Sequence, residues 1–112
     1  MSSTADFINY LQEQFQLIGP VEARRMFGGH GFFLDGLMFA ITFDDCLYLK
    51  VDEVSKADFE AQGLAPFSYP RGDKMINLSY YQAPETIIDE PAELCEWGNR
   101  AFAAALYGRR KR

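Results

Sequence analysis

Cysteine and histidine are scarce: the 112 residues hold only Cys46, Cys95 and His30. Two cysteines cannot build a disulfide framework, and neither stands at ligand spacing from a second Cys or the His, so no zinc motif forms. Both read as free thiols inside the fold. No apolar run approaches the ~18 residues of a membrane span. The first residues, Met1-Ser2-Ser3-Thr4-Ala5-Asp6, lack a basic segment followed by an apolar one, so no secretion signal is visible and a cytoplasmic, non-membrane protein is expected. No repeat, low-complexity tract or interdomain linker interrupts the chain.

What is abundant is aromatic. Seventeen residues are Phe, Tyr or Trp and 48% are hydrophobic, which excludes a solvated, disordered chain. At this length folding buries roughly 65% of the surface exposed by the unfolded chain, enough for one core without a metal or disulfide staple. The expectation is one domain over residues 1–108 and a basic tail over 109–112. Charge is divided in the same way. The chain carries 11 basic and 16 acidic residues, and four of the basic ones are Arg109, Arg110, Lys111 and Arg112. A body this acidic repels phosphate, while the tail attracts it; at most weak, non-specific nucleic-acid binding through those four residues is expected.

Ser3-x-x-Asp6 reads as a capping box for a helix over about 4–17, carried by Phe7, Leu11, Phe15 and Ile18 and stopped at Gly19-Pro20. Residues 21–27 can be extended. Asp35-Gly36 between apolar runs signals a hairpin, because a type I′ turn needs positive φ at both central residues. Leu37 to Phe43, apolar on both faces, reads as a central strand, and Leu47, Leu49 and Val51 alternate along the next. Three strands in a meander are followed by a short helix capped at Ser55-x-x-Asp58. A second hairpin turns at residues 70–74. A last helix begins at Pro91, buries Leu94, Trp97, Ala101 and Ala105, and ends at Gly108. The order α-β-β-β-α-β-β-α predicts an α+β fold, an antiparallel sheet of about five strands flanked by helices.

The glycines of Gly28-Gly29-His30-Gly31 do not make a nucleotide site. A dinucleotide fingerprint from Gly29 needs Gly or Ala where Leu34 stands, and a P-loop from Gly31 needs Lys and Ser/Thr where Leu37-Met38 follow. A bend between two extended segments is expected instead. His30 could serve a Cys46 or Cys95 nucleophile, but spacing brings neither to it. The pairs Asp44-Asp45, Asp52-Glu53 and Asp89-Glu90 fall at turns and helix starts, where carboxylates cap and hydrogen-bond. No catalytic residue, metal or cofactor is expected. Tyr80-Tyr81 puts one ring on each face of a strand, so at most one is core. The other, with Phe33 or Tyr48, would form an exposed platform for a partner chain or for bases, and the acidic body favours the protein contact over base stacking.

Several strings in fixed order carry a resemblance: Arg25-Met26-Phe27-Gly28-Gly29, Gly31-Phe32-Phe33-Leu34-Asp35-Gly36, Met38-Phe39-Ala40, residues 47–52, Pro66-Phe67-x-Tyr69 and Ser79-Tyr80-Tyr81-x-x-Pro84. Over about residues 24–104 the chain resembles the TfoX N-terminal domain family. The resemblance implies a secretion-chaperone-like α+β fold in a stand-alone copy of that domain. Its best-known members regulate DNA-uptake competence as transcriptional cofactors beside a DNA-binding activator, so it implies a non-enzymatic regulator with a protein partner. It makes a homodimer plausible. Arg24, Arg25, Met26, Phe27, Gly28, Gly29, Tyr80 and Tyr81 are the candidate partner surface. The alternative is a small-molecule binder or enzyme with a pocket near Arg25, Gly28, Gly29 and His30.

Overall fold

The structure, a computed structural model, describes residues 5–26 and 28–110. Turn chemistry and alternation produce α1 (Ala5–Phe15), β1 (Glu22–Met26), β2 (Gly29–Leu34), β3 (Leu37–Phe43), β4 (Cys46–Lys50), α2 (Glu53–Ala61), β5 (Pro66–Arg71), β6 (Lys74–Gln82) and α3 (Pro91–Arg110), with a 3-10 turn at Glu85–Ile87. The fold is α+β, and the sheet is antiparallel throughout in the order β1-β2-β3-β4-β6-β5. It has six strands rather than five because Glu22–Met26, polar and without clean alternation, pairs along its whole length with β2.

The β2–β3 hairpin turns at Asp35 (φ 52°) and Gly36 (φ 77°), the type I′ signature. The β3–β4 turn repeats it without glycine, at Asp44 (φ 51°) and Asp45 (φ 59°), since Asp tolerates the left-handed region by local hydrogen bonding. Between these turns the β2–β3 register slips. Phe32 pairs with Ala40 and Phe33 with Met38, leaving Phe39 as an extra residue. That bulge turns both Phe39 and Ala40 toward the same core.

All three helices pack on one face. α3 lies across β3 and β4, α1 against α3 and β1, and α2 against β6. The core between these layers centres on Phe15, which meets Phe32 at 5.7 Å and Phe39 at 5.2 Å, both edge to face. Tyr10 Oη donates to the Ile88 carbonyl at 2.7 Å, tying α1 to the segment before α3.

Three local expectations are corrected. α2 is capped by Asp52, which accepts from the Ser55 amide at 2.8 Å while Ser55 Oγ accepts from the Asp52 amide at 3.0 Å; Ser55 is thus inside the helix and not its cap. α3 runs through Gly108 to Arg110, because one glycine costs a helix only ~1 kcal/mol and arginines suit its C-terminal dipole. Trp97 is half-buried, standing edge to face on Phe59 at 5.1 Å with the Arg100 guanidinium 5.0 Å from its ring. The expected capping residue Ser3 lies outside the described residues.

Candidate functional site

The face of the sheet opposite the helices has its own apolar cluster, made entirely of strand residues. Ile41, Phe67 and Tyr80 are buried there, with Met38, Phe43, Tyr48 and Leu78 half-buried around them. Phe67 stands edge to face against Phe43 at 5.9 Å and Tyr48 at 5.0 Å. Toward β1 the cluster continues over Gly31. A Cβ there would lie 2.5 Å from Met26 Sδ, 2.7 Å from Met38 Sδ and 3.1 Å from the Phe33 ring. Glycine thus leaves a hollow that two flexible methionines fill, and thioethers repack easily around an incoming surface.

Tyr80 and Tyr81 do sit on opposite faces, yet both are buried, at 6% and 7% exposure, which corrects the expectation that one would be exposed. Tyr81 joins the helix-side core and donates to Glu60 Oε2 at 2.9 Å, a bond that raises its phenol above the ordinary range. Tyr80 reaches over the open face and donates to the Met38 carbonyl at 2.7 Å; burial pushes its phenol up strongly. The sequence lacks the information that Phe67 arrives beside Tyr80. A register slip between β5 and β6 at Pro66/Ser68 delivers it.

Charge on the strands is the reverse of the chain's. Among the described residues Glu22 is the one acidic residue on a strand, whereas Arg24, Arg25, Lys50, Arg71 and Lys74 are all on strands. On the open face Arg24 bonds Glu22 at 3.1 Å and places its guanidinium 4.8 Å from the Phe33 ring centre. Lys50 Nζ lies 5.2 Å from the Tyr80 ring centre. At the rim, where the end of α3 approaches the sheet, a cleft of about 250 Å³ is lined by Leu37, Met38, Lys50, Tyr80 and Arg109 among others.

Arg25, Gly28, Gly29 and His30 also come together, on the helix side. With Ala5, Ile8 and Asn9 of α1 they line a cavity of about 310 Å³. Register does this, because Arg25 pairs with His30 and Met26 with Gly29. Gly28 (φ 79°) makes the bend, and a Cβ on Gly29 would overlap the Thr42 carbonyl oxygen. Burial, then the Arg25 charge, lowers the His30 pKa, and its Nδ1 is buried without a hydrogen-bond partner among the described residues. Burial raises both thiols, Cys46 and Cys95, the opposite of thiolate activation. Among the described residues no group of three or more His, Cys, Asp or Glu gathers to hold a metal, and no helix is long and apolar enough to cross a membrane.

Of the remaining candidates, Arg109 and Arg110 belong to α3, so the basic segment begins as helix; Phe27, Lys111 and Arg112 lie outside the described residues. The chain is 29% identical over 91 residues to DNA transformation protein TfoX1 of Aliivibrio fischeri and 26% identical over 95 residues to Protein Sxy of Escherichia coli. Those matches cover 78% and 85% of this chain and 44% and 46% of the relatives, so the chain spans less than half the length of each. The family model described as the TfoX N-terminal domain matches residues 13–105, from the last turn of α1 through the whole sheet and most of α3, and the chain therefore belongs to the TfoX N-terminal domain family.

Proposed function

We propose that the protein is a non-enzymatic regulatory domain, a transcriptional cofactor or adaptor that binds another protein through the open face of its sheet. The observation that carries this reading is the strand-built cluster around Ile41, Phe67 and Tyr80, bordered by half-buried Met38, Phe43, Tyr48 and Leu78 and, among the described residues, on the face opposite the helices. The apolar surface that a partner can still remove from water is that of the half-buried Met38, Phe43, Tyr48 and Leu78, at about 25 cal/mol per Å² buried, with Ile41, Phe67 and Tyr80 as the packed floor beneath them. The regulatory assignment is supported by the name of the relative TfoX1, a DNA transformation protein. The partner class that the family resemblance implies is a DNA-binding activator. In this reading the working unit is the domain of residues 1–108, and the basic residues 109–112, of which Arg109 and Arg110 continue α3, make at most weak nucleic-acid contacts.

Affinity capture from the native host tests it, comparing the full chain with Phe43→Asp on the open face and Glu96→Lys on the exposed side of α3. A partner retained by the Glu96 variant and lost with the Phe43 variant supports the reading; equal retention by both refutes it. Both variants are first checked for native circular dichroism.

The cavity at Arg25 and His30 favours a second reading, a small-molecule binder. A metabolite at 100 times its dissociation constant should stabilise the fold by about 2.7 kcal/mol, and thermal shift measures it. Stabilisation that survives Arg25→Ala would refute binding there.

A further inference from the structure

The cavity between α1 and the β1–β2 hairpin carries the chemistry of its own ligand, an inference that rests on the small-molecule reading above. Its charge is of one sign. Among the described residues that line it, Arg25 is the one charged side chain, and none of the chain's sixteen acidic residues is there. Asp6 of α1 is exposed and outside the lining, Glu22 is bonded to Arg24 on the other face of the sheet, and Asp44 and Asp45 stay in the β3–β4 turn. Arg25 itself makes no ion pair among the described residues. Burial and then the Arg25 charge lower the pKa of His30, and no carboxylate acts on it to offset them, so the ring is neutral at neutral pH. On a chain whose formal net charge is −5, this cavity presents a single positive charge.

Its hydrogen bonding is incomplete. Among the described residues the buried side-chain polar atoms without a partner are His30 Nδ1 and Thr42 Oγ1, and they belong to residues paired directly across β2 and β3. Paired residues of an antiparallel ladder share a face, so both orphans lie on the helix side, where His30 also lines the cavity. A wall that served packing alone would carry apolar side chains there, since an unpaired buried polar group costs stability. A half-turn of the imidazole about its Cβ–Cγ bond exchanges Nδ1 with Cδ2 and moves no backbone, so the ring can offer a nitrogen at either edge. Ala5 and Ile8 give the cavity an apolar side, and Asn9 a further polar group.

We propose that the cavity binds a small hydroxylated organic acid, its carboxylate on the Arg25 guanidinium, its hydroxyl hydrogen-bonded to the His30 imidazole and its short carbon chain along Ala5 and Ile8. A guanidinium takes a carboxylate by two parallel hydrogen bonds, the strong geometry for this pair. The volume of about 310 Å³ has room for roughly ten non-hydrogen atoms at about 30 Å³ for each water-sized group. Other ligands fit less well. A phosphate ester carries nearly two charges, and one arginine leaves the second uncompensated on an acidic chain. An amine or a metal ion meets Arg25 with no carboxylate to hold it.

The test follows the backbone amide and His30 imidazole resonances of the full chain by NMR while 3-hydroxybutyrate, its primary amide, butyrate and inorganic phosphate are titrated in turn. The expected result is that 3-hydroxybutyrate moves Gly28, Gly29 and His30 and binds about tenfold more tightly than its amide. It should also bind more tightly than butyrate, and it alone should shift the imidazole. Arg25→Gln should bring the acid down to the affinity of its amide, and His30→Phe should erase its advantage over butyrate, while Lys56→Gln on α2 changes neither. An amide that binds at these residues as tightly as the acid leaves the small-molecule site standing and overturns the acid. Preference for phosphate overturns it too. An imidazole that butyrate shifts equally, or an advantage over butyrate that survives His30→Phe, overturns the hydroxyl contact. If Gly28, Gly29 and His30 stay fixed with every probe, the site is removed and the inference with it.

Discussion

Thr42 carries an internal test of how well this core is satisfied. Its side chain is fully buried, at 0% exposure, and its hydroxyl oxygen has no hydrogen-bond partner among the described residues. Burying a hydroxyl without a partner costs about 1–3 kcal/mol by protein mutational data. Thr42→Val keeps the β-branched shape and the strand preference while exchanging that hydroxyl for a methyl. The expected outcome is a stabilisation of about 1 kcal/mol, at the low end because packing around the new methyl is not optimised. For 112 residues, an unfolding entropy of roughly 2.1 cal/mol/K per residue converts this into a rise in Tm of about 4 °C. Calorimetry and urea titration measure it independently, and an unchanged m-value shows that the denatured state is not responsible. Thr42→Ser is the control: it keeps the hydroxyl, loses a buried methyl, and should destabilise by about 1 kcal/mol. If Thr42→Val destabilises the protein by 1 kcal/mol or more, the hydroxyl is satisfied in solution and the reasoning fails.

Gly29→Ala and Gly31→Ala should separate sharply, because a Cβ on Gly29 meets the Thr42 backbone whereas one on Gly31 meets the ends of two methionine side chains. The first should cost 3 kcal/mol or more and the second about 1 kcal/mol, measured by urea unfolding. Asp52→Ala should cost about 1 kcal/mol by removing the α2 cap. The Ser55 amide bond holds the Asp52 carboxyl below its ordinary value, so its contribution is complete above the unfolded carboxylate range near pH 4 and is lost as pH falls through the lower folded value. The stability difference between wild type and variant should shrink across that acid window. Tyr80 should not ionise with the ordinary phenols near pH 10. Its preference for the neutral form stabilises the fold below that pH and is lost as pH rises toward its elevated folded value; ultraviolet titration of Tyr80→Phe should remove a late-ionising ring and leave the earlier ones unchanged.

Much of this architecture is legible in the sequence, and the failures have physical causes. Asp35-Gly36 and the alternation of Leu47, Leu49 and Val51 are local signals, and each gives the correct turn or face. β1 is legible only from its partner, since Glu22, Arg24 and Arg25 are exposed edge residues with no buried alternation to mark them. The α2 cap is misplaced by three residues because Asp52 and Ser55 both have capping chemistry, and only the backbone decides which is inside. The open face is partly legible. Alternation separates Tyr80 from Tyr81, but the burial of Tyr80 depends on Phe67 and Met38, residues 13 and 42 positions away. The meeting of Arg25 with His30 follows from a hairpin register that the glycine cluster alone does not specify.

The strand order also bears on how the molecule assembles. Four of the five ladders join strands that are neighbours in sequence, and only β4–β6 encloses an intervening helix and strand. Short closures lose little chain entropy, so the β1–β4 meander and the β5–β6 hairpin can each zip up locally. The β4–β6 seam has three paired positions, Tyr48, Leu49 and Lys50 against Gln82, Tyr81 and Tyr80. It is the one sheet pairing that must wait for a distant encounter, and the rings of Tyr48 and Phe67 meet across it. Closing that seam therefore completes the open face, so the face exists only in the finished native state and is absent from any collapsed form in which the two halves remain apart.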